Sequence, residues 1–306
     1  MANEVFEGVI AHSLKATLDD IIDDPTDGLE SSMFHPKWCE QPDMQDAYED
    51  VLEMGGPGLA AEKPEGQEMG TGAIQEGSLT RYISRTFALR LIVTEEALED
   101  SKYPQAIKAA RRLKRAMYKT QDIDATNMLV RGWNSSYVGG DGKPLFSTTH
   151  TLPSGGTYSN TMATPMSPSR MAVIVAASAV KKFPGHDGVL GDNHMIKGVI
   201  CPVDQWAVWA GVIKSKNAPE PGQFNQINVV NSEMEMSETI AIPYWSNTTT
   251  NYCFRTDAEG GPNMRHRRKP RSRSWVENSQ EVMMYSISAR WARGWSDGRA
   301  LYGVQA

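Results

Sequence analysis

The chain has 306 residues, of which 40% are hydrophobic, and a formal net charge of −6. That is enough apolar material for a substantial core, while no apolar run approaches the roughly 20 residues of a membrane helix. The N-terminus has no basic region followed by a long apolar stretch, so a soluble, intracellular product is expected. Cys39, Cys201 and Cys253 stand far apart and form no CxxC pair, which points to reduced thiols rather than a disulfide framework.

Charge is segregated along the chain. Residues 1–53 hold fourteen carboxylates against Lys15 and Lys37, and the opening stretch shows apolar residues near helical spacing before Pro25, Gly28, Pro36 and Pro42 break regularity. This reads as an acidic arm that orders on contact. A glycine- and proline-rich excursion follows over 54–78. "LTRYISRTFALRLIVT" then alternates as a strand.

From about Tyr103, Ala106, Ala110, Leu113, Met117, Ile123, Met128 and Leu129 recur every three to four residues, which predicts a helix of some thirty residues. Its polar side is basic near the start, with Lys108, Arg111, Arg112, Lys114 and Arg115. "GGDGKPLFSTTH" is turn chemistry followed by a short strand. Ser167 is the predicted N-cap and Pro168 the first residue of a helix over "SPSRMAVIVAASAVKKF". "HMIKGVICPVDQWAVWAGVIKS" reads as strand, break at Pro202, then helix, with Trp206 and Trp209 on one apolar face. "ETIAIPYW", "NYCFRTD", "RHRRKPRSRSW" and "EVMMYSISARWARGW" read as successive strands, so the class is α+β.

No phosphate-binding, nucleophile-elbow or zincin motif is present. The densest polar cluster, "GHDGVLGDNH", would support a metal-dependent hydrolase only if His186, Asp192 and His194 converged; an exposed Asx/Gly loop is the reading favoured. A second basic run holds Arg265, Arg267, Arg268, Lys269, Arg271 and Arg273. Clustered cations of this kind can meet nucleic-acid phosphates, or acidic surface in the same chain or on a neighbour. Stacking aromatics and a recognisable DNA-reading module are absent, which argues against sequence-specific readout.

The ordered series "FALRLIVTEEALEDSKY", the long helix ending "NMLVRGW", "DGKPLFSTTHTLPSGGTYSN", "GVICPVDQWAVWAGVIKSKN", "ETIAIPYW", "NYCFRTD", "RRKP" and "YSISARWARGWSDGRALYG" resembles the major head subunits of Mu-like tailed phages, from about residue 80 to the C-terminus. The resemblance implies the Hong Kong 97 capsid fold: 1–53 as N-terminal arm, 54–93 as extended E-loop, 94–154 as P-domain with its spine helix, 155–245 as A-domain, and 246–306 as strands returning to the P-domain. It implies a structural major capsid protein rather than an enzyme, with no cofactor or metal. Its partners would be copies of itself in hexamers and pentamers of an icosahedral shell, a separate scaffolding protein, a portal, a decoration or cement protein, and packaged double-stranded DNA by non-specific contact. Its place is the virion, after assembly in the host cytoplasm, with no membrane. An encapsulin-like protein-packaging shell shares the fold and stands as the alternative. The acidic arm, at Asp19, Asp20, Asp23 and Asp24, is expected to pack on basic surface of a neighbouring subunit.

Overall fold

The structure is a computed structural model, and it describes residues 32–94, 103–217, 226–234, 236, 238–245, 251–277 and 282–305. Among the described residues the first element is a 3-10 turn at His35–Lys37, followed by strands β1 (Tyr48–Met54) and β2 (Glu76–Ile83), which pair antiparallel as a two-stranded ribbon. β1 starts before residue 54, because Tyr48 pairs with Ile83, so the boundary drawn at 53/54 falls inside a strand. The single strand expected over "LTRYISRTFALRLIVT" is two. Ser84 turns back to the Ala47 carbonyl, and β3 (Arg85–Thr94) joins a different sheet.

Helix α1 (Tyr103–Val130) is as long as its periodicity predicts. It lies on the three-stranded sheet β3-β10-β9, where β9 is Asn263–Glu277 and β10 is Val282–Gly294. The side facing the sheet carries Ala110, Leu113, Met117 and Met128. These meet Met283, Tyr285, Ile287, Ala289 and Trp291, the alternate residues of β10. Phe87 of β3 stacks on Trp291 with ring centroids 3.9 Å apart.

After the short pair β4 (His150–Thr151) and β5 (Thr157–Tyr158) come helix α2 (Arg170–Val180), strand β6 (Ile196–Pro202), helix α3 (Trp206–Lys214) and the turn-length helix α4 (Val229–Ser232). β7 (Glu238–Ile242), β8 (Tyr252–Thr256) and β11 (Leu301–Val304) complete a mixed sheet of order β11-β8-β6-β7. β6 and β7 are parallel, so the connection between them must cross over, and α3 and α4 form it. This sheet is buried on both faces. Val199, Cys201, Tyr252, Phe254 and Tyr302 face the α2–α3 core, while Ile200, Ile240, Cys253 and Leu301 face the α1 core. Such two-sided burial explains the unbroken apolar run of "GVICP".

Two local expectations are corrected. The N-cap of α2 is Ser169, whose hydroxyl accepts from the Ala172 amide at 3.2 Å, so Ser167 and Pro168 precede the helix. Trp209 is buried edge-on against Tyr252 and Phe254, but Trp206 opens the helix 53% exposed and fills no core.

Candidate assembly surfaces

The ribbon β1–β2 is the first surface. Tyr48, Leu52, Met54, Leu79 and Ile83 are exposed on it, and beyond its end Leu59, Met69 and Ile74 stand between 63% and 79% exposed. A two-stranded ribbon is marginal by itself in water, and apolar groups gathered this way mark a contact surface. One end of one face is tied to the body by an aromatic side chain. Tyr82 is buried against Met44 and Ala292, and its hydroxyl accepts from Asn263 Nδ2 at 3.0 Å.

A buried charged junction holds the ribbon at its other end. Arg299, 2% exposed, donates to Asp297 Oδ2 at 2.6 Å and to the Pro184 carbonyl at 2.9 Å. Its Nη2 also lies 2.6 Å from His186 Nε2 and 3.8 Å from Glu53 Oε1 of β1. His186 Nδ1 faces Glu53 Oε1 at 3.0 Å, and Glu53 Oε2 accepts from Ser78 of β2. With Arg299 donating to Nε2 and Glu53 accepting from Nδ1, the imidazole proton is assigned to Nδ1. Burial by itself would lower the Arg299 guanidinium, but the Asp297 hydrogen bonds and charge outweigh it and the net direction is up. Burial, with the Asp297 charge, pushes the neighbouring Tyr158 phenol well above its ordinary value. Asn160 braces the same corner, donating to the Leu145 and Gly298 carbonyls and accepting from the Ser147 amide, with His150 Nε2 3.1 Å away.

This arrangement disposes of the metal-hydrolase constellation. His186 is committed to Glu53 and Arg299, whereas His194 sits by Asp257 at 3.1 Å, with Asp192 3.9 Å away. Among the described residues no three His, Cys, Asp or Glu side chains are placed to hold a metal ion. The thiols are buried, and burial pushes Cys201 up to about 12 and Cys39 and Cys253 up as well, so none is a ready nucleophile.

The two basic runs are the remaining surfaces, and they point in opposite directions. On α1, Lys108, Arg111, Arg112 and Arg115 are exposed and continue to Lys119, on the side away from the sheet. Lys114, grouped with them by sequence, is instead 5% exposed on the flank of the helix. On β9 the run divides. Arg265 pairs with Glu49 at 2.8 Å and lies over the Tyr82 ring, Arg267 donates to the Gln45 carbonyl, and Arg268 donates to Ser288 Oγ. Lys269, Arg271 and Arg273 stay exposed. The register Ser288↔Arg271 and Ser286↔Arg273 puts both arginines on the sheet face turned from α1, beside Arg90 of β3. Asp19, Asp20, Asp23 and Asp24 lie outside the described residues.

Sequence reasoning missed two anchors. One is the Arg299 junction, whose members are spread from residue 53 to 299. The other is Asp122, whose Oδ1 accepts from the Phe34 and His35 amides at 3.0 Å each and faces His35 Nδ1 at 2.7 Å.

No family model matches the sequence, and no curated protein does. Solved structures do match. The chain is similar to the structure from Microbacterium phage Oxtober96 with a TM-score of 0.56 and 10% identity, over 89% of this chain and 90% of that one. It is similar to the virus-like particle from Pyrococcus furiosus with a TM-score of 0.55 and 9% identity, over 95% and 98% of the two chains. It is also similar to the capsid of an empty GTA particle, with a TM-score of 0.51 and 14% identity, over 89% of each. The likeness spans nearly the whole of both chains, and the fold is the Hong Kong 97-type capsid fold.

Proposed function

We propose that this chain is the major capsid protein of a tailed double-stranded-DNA phage, of the Mu-like head-subunit type, and that it builds an icosahedral head from hexamers and pentamers. The observation that carries the reading is the fold, shared over 89% or more of each chain with the capsid of an empty GTA particle and a virus-like particle. The exposed apolar ribbon supports it, because such a ribbon gains its stability by lying on another copy. In this reading residues 1–53 are the arm, 54–93 the E-loop, 94–154 the P-domain built on α1, 155–245 the A-domain, and 246–306 the returning strands. The role is structural rather than enzymatic.

The opposed basic faces suit a wall with two sides. The α1 stripe is assigned to packaged DNA, through phosphate contacts that need no sequence readout. The Lys269, Arg271 and Arg273 face is assigned to neighbouring subunits. A separate scaffolding protein, a portal and a decoration protein complete the partner set, with assembly in the host cytoplasm and residence in the virion.

Electron microscopy of the expressed chain, alone and with a co-expressed scaffolding protein, tests the reading. Shells, capsomers or tubes are expected. A strictly monomeric product under all these conditions would refute it, and particles filled with protein cargo instead of nucleic acid would overturn the viral assignment.

A further inference from the structure

A cavity of about 640 Å³ opens at the base of the ribbon, between β2, the C-terminal end of α1 and the loop over residues 137–140. Its charge is unbalanced. Arg85, Arg131 and Arg293 gather there around a single carboxylate, Asp124. Both oxygens of Asp124 are already engaged: Oδ1 faces Arg293 Nη1 at 2.5 Å, and Oδ2 accepts from Trp291 Nε1 at 2.9 Å. Arg81, on the same wall, is matched by Asp50 at 2.7 Å. Arg131 lies 4.6 Å over the Tyr137 ring, and neither it nor Arg85 makes an ion pair among the described residues. Burial lowers the Arg293 guanidinium from its ordinary value, with Asp124 opposing and Arg131 and Arg85 lowering it further. The rim is apolar, with Leu79, Ile83 and Val138 exposed on it. A partner suited to this cavity carries carboxylates on an apolar segment.

Such a segment exists at the other end of the ribbon. Between Gly58 and Gly70, Glu62, Glu65 and Glu68 stand against Lys63 alone, and Leu59 and Met69 are exposed beside them. A Cβ added at Gly58, Gly66 or Gly70 would meet no atom within 4 Å, so this tip rests on nothing in its own subunit there. Nor does it turn back to its own cavity. The two arms stay side by side past β1 and β2: the Gly55 amide donates to the Gln75 carbonyl at 2.7 Å, and Gly72 lies against Pro57. Thr80, on the cavity wall, is eight residues from Gly72, about 26 Å of extended chain. The cavity is therefore open to the tip of another copy. Tip and cavity are different surfaces of one chain, so each copy gives one contact and receives one, the head-to-tail arrangement that closes rings.

We propose that the cavity is the socket for residues 58–70 of a neighbouring copy, with Glu62, Glu65 and Glu68 meeting Arg85 and Arg131 while Leu59 and Met69 cover the apolar rim. The inference rests on the capsid reading for the presence of a neighbour, and deepens it by naming what the ribbon tip grips. The carboxylates supply the charge that Asp124 alone cannot, and the apolar side chains keep water from the pairs so formed.

The test is a charge swap in the full chain, read by sedimentation velocity and electron microscopy. Reversing the tip (Glu62→Lys, Glu65→Lys, Glu68→Lys) or the socket (Arg85→Glu, Arg131→Glu) should lower the assembled fraction at least about tenfold. A chain carrying both reversals should regain most of the wild-type fraction, which also shows that neither reversal acts by unfolding the subunit. Unchanged assembly in either single reversal overturns the proposal, and so does a combined variant no better than its parents. The contact is read without shells in a chain carrying Glu65→Cys and Val138→Cys, because Cys39, Cys201 and Cys253 are buried. Disulfide-linked oligomers are expected on oxidation; a linked monomer, or no link, overturns the assignment to a neighbour. Linked oligomers that never close into shells count against the capsid reading and uphold the contact, whereas shells indifferent to the charge swap do the reverse.

Discussion

β9 and α1 carry similar clusters of positive charge and use them differently. Along β9 the first arginines are consumed inside the subunit: Arg265 by Glu49 and Tyr82, Arg267 by the Gln45 carbonyl, Arg268 by Ser288. Along α1 the cations Lys108, Arg111, Arg112 and Arg115 are all turned to solvent. The difference follows from what lies opposite. The chain passes β9 on its way from the α1 side to the ribbon and brings Gln45 and Glu49 with it, whereas nothing described crosses the outer side of α1 near its start. A basic run in sequence therefore says that a partner is needed, and the path of the backbone says whether that partner is internal.

Arg299 is the extreme case of the internal kind and gives the largest expected effect. Arg299→Ala would leave Asp297 and Glu53 buried without their cation, and breaking such a pair costs about 3–5 kcal/mol. Chemical denaturation should show that loss, and hydrogen exchange should show faster opening across β1 and β2, because Glu53 is the tie between ribbon and body. Retained stability would mean that Tyr82 and the Glu49–Arg265 pair hold the ribbon without the junction.

The next effect is alkaline. Cys201, Tyr158 and Tyr252 all have values raised by burial, so the folded chain holds protons that the unfolded chain releases. Stability from these groups is intact below their unfolded values, 9.0 for cysteine and 10.0 for tyrosine, and is lost as pH rises above them. Cys201 alone contributes a slope of about 1.4 kcal/mol per pH unit above 9.0 until it titrates near 12 in the fold. Melting temperature measured between pH 7 and 11 should therefore fall in the upper half of that range, and a flat profile would contradict the burial of these side chains.

Much of the architecture was legible because it depends on short-range pattern. The α1 period, the two-sided apolar run of β6 and the break at Pro202 are local signals, and each appears where expected. A parity change between Tyr82 and Phe87 marks the division of β2 from β3; the alternation breaks there because the two strands belong to different sheets. Spacing also gives only half the information about a helix face. Trp206 and Trp209 share a face, but only Trp209 reaches the rings of Tyr252 and Phe254. The junction was hidden for another reason. Glu53, His186 and Arg299 carry no common motif, and only the meeting of three distant segments gives them a shared role. His186 drew notice as a metal ligand for its neighbours in sequence, and its neighbours in space make it a bridge between a carboxylate and a guanidinium.

Arg265 tests the intermediate case, a cation consumed at half-burial. Arg265→Ala removes the Glu49 pair and the contact 4.4 Å above the Tyr82 ring. With side-chain exposures of 17% and 25% for the two partners, solvent screening limits the loss to about 1 kcal/mol. A double-mutant cycle with Glu49→Ala isolates the ion pair, and a coupling energy near zero would place the role of Arg265 in covering Tyr82.

The smallest effect on folding should come from the cations left outside. Lys269→Ala, Arg271→Ala and Arg273→Ala together should change unfolding free energy by no more than about 0.5 kcal/mol, since exposed side chains contribute little. If that face meets neighbouring subunits, the same variant should nonetheless lower the yield of shells, and the wild-type yield should fall as salt screens the contact. Pro270 and the register shift between Ser288 and Arg290 blunt β9 as a template for strand addition, so a neighbour would engage the face through side chains. Normal shells at normal yield would show that these three cations serve only to keep an edge strand from pairing with other chains, and the contrast with α1 would then be between a guarded edge and a binding stripe.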